Sequence, residues 1–160
     1  MGQGLPSKQT VNAVGGREQA RSVRAGTRLW TLDATRTVRT TVTGVTVAKA
    51  RDAVDVVTSH TAFTVSANVG FLAELAGVIG ARFTPRPRGL ASHLTVVDNW
   101  AARGTFRPEQ HPLHPVESGR VEVVDVRPRR AEGKPFTFYG FCLDPYPTFL
   151  VNGHLARQAW

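Results

Sequence analysis

The chain has 160 residues, 41% hydrophobic and 20% charged, enough for one globular domain with a sizeable core; its single cysteine, Cys142, excludes an internal disulfide framework and a Cys-rich zinc site. No apolar run approaches the roughly 18 residues of a membrane span, and the polar opening "GQGLPSKQTVNAVGGREQAR" lacks a signal-peptide core, so a cytoplasmic monomer is expected. Twenty Lys and Arg against twelve Asp and Glu give a net charge of +8, which attracts polyanions, yet the arginines are scattered and match no nucleic-acid motif.

In chain order, residues 1–21 are polar and without periodicity, and read as an appendage outside the domain. Strands are expected over "GTRLWTL" (26–32), "RTTVTGVTVAK" (39–49), "AVDVVT" (53–58) and 62–65, all rich in Val and Thr. "FLAELAG" (71–77) is the one fair helix candidate. The Pro-rich middle, "TPRPRGLASH" through "RGTFRPEQHPLHPVESG", reads as a long excursion from the core. Strands resume at "RVEVVDV" (120–126) and "FTFYGFCL" (136–143), and the chain closes on a hairpin: Phe149-Leu150-Val151, an Asn152-Gly153 turn, then His154-Leu155-Ala156. The domain is therefore all-β with few short helices.

Two patterns flank this β sequence. "SVRAGT" places a hydroxyl at Ser22, with Gly26 and Thr27 four and five residues on, and the closing hairpin carries Phe149, Asn152, Gly153 and finally Gln158. Together they resemble the two terminal motifs of inteins, the self-splicing members of the Hint superfamily. The resemblance implies a horseshoe-shaped β fold over residues 22–158, the size of a mini-intein, with 1–21 as an upstream flank and 159–160 as a downstream remnant.

The implied chemistry is single-turnover and self-directed, without cofactor or metal, and its partners are the chain's own flanks. Ser22 would attack the carbonyl of Arg21, converting amide to ester. A family histidine protonates the departing amine; His60 in "VVTSHTAFT" fits it, while Thr58 stands one place from the expected threonine and Val57 occupies that place. Gln158 would cyclise onto its own carbonyl and release the downstream segment. Class 3 inteins instead attack with a cysteine of the penultimate motif, which leaves Cys142 in "YGFCLD" as the alternative nucleophile, although their associated Trp is replaced by Ala62.

Three departures bear on activity. Arg157 replaces the penultimate His, Pro147 replaces the His before the closing strand, and Ala159 offers no acceptor for the acyl group. Gln also closes a six-membered ring less readily than Asn closes a five-membered one. The expectation is a precursor arrested by Gln158 and Ala159, through engineering or decay. A Hint domain that only cleaves at its N-side, and a basic β-domain holding nucleic acid on a face shared by Arg36, Arg39, Arg86 and Arg88, are the alternatives. "LAGVIGARF" echoes a homing-endonuclease signature but carries Gly80 and Arg82 at the acidic positions, and the Pro-flanked His111 and His114 have no third ligand.

Overall fold

A computed structural model describes residues 4–33, 36–58, 61–66, 69–75, 78–83, 93–97 and 118–158. Fourteen strands are defined among them: β1 Leu5–Pro6, β2 Thr10–Ala13, β3 Gly16–Gln19, β4 Arg28–Asp33, β5 Arg36–Ala50, β6 Asp52–Thr58, β7 Ala62–Val65, β8 Val69–Leu75, β9 Val78–Phe83, β10 His93–Val97, β11 Ser118–Arg130, β12 Phe136–Asp144, β13 Thr148–Val151 and β14 His154–Gln158. They form a six-stranded sheet, β1-β12-β5-β4-β2-β3, and an eight-stranded one, β13-β14-β8-β10-β11-β6-β7, with β9 on β8.

The long strands follow from composition. Strand β5, "RTVRTTVTGVTVAKA", is almost wholly Thr, Val and small residues, and it is shared between β4 over Arg36–Thr41 and β12 over Thr41–Ala50. On β12, Phe141 enters the core with Tyr139 and Leu143 packed against it, while Phe138, Gly140 and Cys142 alternate onto the other face. The core gathers Leu5, Val11 and Leu29 from the first sheet with Val54, Val56, Phe63, Val65, Phe149 and Val151 from the second.

Two expectations are corrected here. Residues 5–21 are no appendage: they supply β1, β2, β3 and a 3-10 turn, Ala20–Ser22, with Leu5, Val11, Ala13 and Ala20 all buried. Their hydrophobic content is low because they contribute few buried apolar side chains, and the residue buried between Val11 and Ala13 is the polar Asn12. The segment read as a helix, "FLAELAG", lies largely in β8, paired with β14, β10 and β9. Leu, Ala and Glu favour helix intrinsically, but three neighbouring strands offer more backbone bonds and override that preference. The Pro-rich stretches 84–92 and 98–117 lie outside the described residues, as do Arg86, Arg88, His111 and His114.

Candidate functional site where the chain ends meet

The closing hairpin is built as its sequence dictates. Asn152 and Gly153 both take positive φ, 48° and 79°, the geometry of a two-residue turn whose twist suits the strands it joins. Strand β14 then runs out along β8, pairing Ala156 with Phe71, Arg157 with Gly70 and Gln158 with Val69. Arg157 is exposed, and its backbone also pairs with Thr148 of β13.

Val69 links this end of the chain to the other. Its N–H donates to the Ser66 carbonyl at 3.3 Å, and the Ser66 N–H donates to the Gly4 carbonyl at 2.9 Å. Gly4 begins β1's approach to β12, where Leu5 pairs with Tyr139 and Pro6 with Phe138. A Cβ at Gly4 would lie 2.0 Å from the Tyr139 carbonyl oxygen and 3.0 Å from the Gly140 Cα, so only glycine fits. The Gly4 backbone and the Gln158 end of β14 therefore lie on two residues, Ser66 and Val69, that are themselves joined by a hydrogen bond.

Ser22 sits elsewhere. It is exposed at the end of the 3-10 turn, between buried Ala20 and Val23, and the turn is pinned by Ala20 N–H to Gln9 O (2.8 Å) and Arg21 N–H to Ser7 O (3.1 Å). Among the described residues no ladder or hydrogen bond joins this turn to β14. Gly26 and Thr27, which gave the motif its spacing, form the bend into β4: Gly26 has φ 95°, and Thr27 accepts the Arg24 N–H on Oγ1 while donating its own N–H to Arg24 O.

Cys142 lies on β12, half-buried, two residues beyond the Gly140 that Gly4 overlies. Because β1 and β12 are antiparallel, moving upstream from Pro6 to Leu5 advances along β12 from Phe138 to Tyr139, toward Cys142. Thr58 is buried and closes the turn from β6 to β7, its Oγ1 donating to Thr61 O at 3.0 Å and accepting the Thr61 N–H at 3.1 Å. His60 and Ala159 lie outside the described residues.

Sequence reading missed the straps that hold this region. Thr10 Oγ1 donates to Asn152 Oδ1 (3.3 Å), Asn152 Nδ2 donates to Thr61 Oγ1 (3.3 Å) and Ala62 O (3.4 Å), and the Gly153 N–H donates to buried Asn12 Oδ1 (3.0 Å). The available signal was "TVNAVGGREQ", a short β run with a Gly-Gly turn. At the entry to the hairpin, the Tyr146 hydroxyl donates to Asp33 Oδ2 at 3.1 Å, and that bond chiefly, with slight burial and the carboxylate's charge, raises the phenol's pKa. Among the described residues no three His, Cys, Asp or Glu side chains are placed to hold a metal ion, and no helix is long and apolar enough to cross a membrane.

A two-sheet β body whose ends converge at one point defines a class, and solved structures give that class a name: the chain has the intein, or Hint, fold. A bacterial intein-like domain from Clostridium thermocellum superposes with a TM-score of 0.70 at 13% identity, over 98% of this chain and 99% of that one. The PabCDC21-1 intein gives 0.72 at 13% identity over 98% and 99%. A splice-inactive variant of the AceL NrdHF class 3 split intein gives 0.72 at 12% identity over 98% and 97%. No family model matches the sequence, and comparison with curated proteins finds no match. The superpositions span nearly the whole chain, so the fold includes the segment before Ser22.

Proposed function

We propose that the chain is a single-turnover, self-processing domain of the protein-splicing kind, acting on the peptide bonds at its own two ends. The observation that carries this reading is the convergence of Gly4 and Gln158 on the Ser66–Val69 connection, since one site must reach both bonds. Ser22 is set aside as first nucleophile. Cutting before it would sever β1, β2 and β3 from the body they complete.

Cys142 takes that role. Its thiolate Sγ attacks the carbonyl carbon of the peptide bond entering Gly4; the C–N bond breaks, the upstream acyl group becomes a thioester on Cys142, and the Gly4 nitrogen leaves as a free amine after gaining a proton. His60 is the proposed donor of that proton. Strand geometry supports the assignment, because β1 leads upstream toward Cys142 and position 4 has no room for a nucleophile of its own. At the other end the Gln158 carboxamide nitrogen attacks its own backbone carbonyl, closes a glutarimide and frees the Ala159 amine. Ala159 cannot accept an acyl group, so the chain as it stands is arrested before ligation and its processing ends in cleavage.

The test is a fusion with reporter domains before Met1 and after Trp160, treated with a strong external thiol and followed by mass spectrometry. A fragment beginning at Gly4, lost with Cys142→Ala, is the expected result. A fragment beginning at Ser22 returns the role to that hydroxyl. No cleavage, even with Gln158→Asn and Ala159→Thr introduced together, overturns the function.

A further inference from the structure

A cavity of about 230 Å³ opens at the end of β12 away from Cys142, where the β1–β2 turn meets the second sheet. It is lined by Pro6, Lys8 and Gln9, by Thr64 of β7, Arg129 of β11 and Phe136 of β12. The apolar part of the lining is Pro6 and Phe136, and the Phe136 ring leans on fully buried Phe138, centroids 5.9 Å apart. The polar part is tied together. Gln9 Oε1 accepts the Thr64 N–H (3.1 Å), the Thr64 hydroxyl donates to Asp55 Oδ1 (2.6 Å), and that oxygen faces Arg129 Nη1 at 3.6 Å. The Arg129 guanidinium also lies over the Phe136 ring, 5.7 Å from its centroid. Held by one long ionic contact among the described residues, Arg129 keeps donors to spare, and exposed Lys8 forms no ion pair among them. Two cations against one carboxylate leave the rim positive, in a chain whose net charge is +8.

We propose that this cavity binds a small aromatic carboxylate, with the ring against Phe136 and Pro6 and the anionic group between Lys8 and Arg129. Size sets the class of ligand. Pockets for drug-sized molecules run to about 300–1,000 Å³, so this smaller one takes a single ring with its acid group and is too small for a nucleotide. The inference goes beyond the self-processing reading and does not rest on it.

The test is a titration of the full chain with benzoate, benzamide and inorganic phosphate, followed by amide NMR shifts. Benzoate is expected to give saturable shifts at Gln9, Thr64 and Phe136. Benzamide lacks the charge and phosphate lacks the ring, and each should bind about tenfold more weakly or worse, the order of one lost charge-assisted contact. Lys8→Gln and Arg129→Gln should each weaken benzoate about tenfold, while Lys8→Arg keeps the parent affinity. Because Lys8 is exposed and unpaired, its two variants should unfold thermally like the parent when no ligand is present. Added salt should weaken benzoate binding, since both cations face solvent. Benzoate that gives no saturable shifts at these three residues overturns the proposal. Equal affinity for benzamide or phosphate overturns it too, as does parent affinity in both Lys8→Gln and Arg129→Gln.

Discussion

The two ends of the chain reach the same place by different means. The C-terminal hairpin carries its own signature: an apolar run with Phe149, Leu150 and Val151 buried, an Asn-Gly turn and a return strand. The N-terminal strands bury Leu5, Val11 and Ala13 among polar neighbours, and one of those neighbours, Asn12, is itself buried as a strap for the other end. A terminus that completes someone else's sheet needs little hydrophobicity of its own. Strand β1 borrows its partner from β12, and β2 is steadied by β4 and by the hairpin's turn.

The sharpest way to break this comparison is to remove the quieter end. A chain beginning at Ser22 loses β1, β2, β3 and four buried core residues, and is expected not to fold, with no cooperative thermal transition and fast amide exchange throughout. An intact transition in that truncation would restore the appendage reading. Leu5→Ala, inside the full chain, should cost about 2–5 kcal/mol in chemical denaturation, the same range as a Leu→Ala change in any core. The matched change Leu150→Ala, equally buried, should fall in that range too.

Gly4→Ala comes next and tests the convergence itself. The added methyl meets backbone atoms of Tyr139 that cannot swing aside, so β1 must lift from β12; a loss of roughly 2–4 kcal/mol is expected, with cleavage at the junction abolished. Wild-type stability in that variant would mean that the close approach is not held in solution.

Why one end was legible and the other was not is a matter of which forces leave a trace in sequence. Strands β5, β6, β7, β11 and β12 were readable because each is long or dense in β-branched and aromatic residues. Strand β8 was not, because "FLAEL" carries helix formers and its strand state is decided by β14, β10 and β9. The Ser22 pattern has a second physical reading: Gly26 at φ 95° and Thr27 bonded to Arg24 make a bend into β4, and a bend requires the same residue types at the same spacing. Fold class followed from composition and from the closing hairpin. The close approach of Gly4 to β12 did not, because that position is chosen for the side chain it lacks.

Asn12→Ala is a smaller perturbation that links the two ends directly. It leaves the Gly153 N–H without its buried acceptor, a loss of about 1–3 kcal/mol, and should act with Asn152→Gly less than additively because both loosen one turn. A double-mutant cycle in urea measures the coupling; strict additivity would separate the two straps.

The smallest effect is at the hairpin's entry, where Tyr146 donates to Asp33 of β4. Accepting that bond, the Asp33 carboxylate favours the protonated phenol and raises its pKa above 10.0. A folded-state pKa above the unfolded one gives a contribution to stability that is fully present below about pH 10 and is lost as pH rises through the folded value. The Tyr146 phenolate absorbance should therefore develop later than that of a free tyrosine in an alkaline titration of the native chain. Asp33→Asn removes the charge while keeping an acceptor oxygen, and should return part of the shift. Asp33→Ala removes both and should return all of it. Because the pair is solvent-exposed, neither change should disturb the buried Phe149–Phe141 contact behind it, whose rings pack edge-on at 5.5 Å. A titration of Tyr146 that ignores both substitutions would show that the β12–β13 loop enters the hairpin without help from β4, leaving the Thr40 hydroxyl, which bonds both the N–H and the carbonyl of Tyr146, as its anchor.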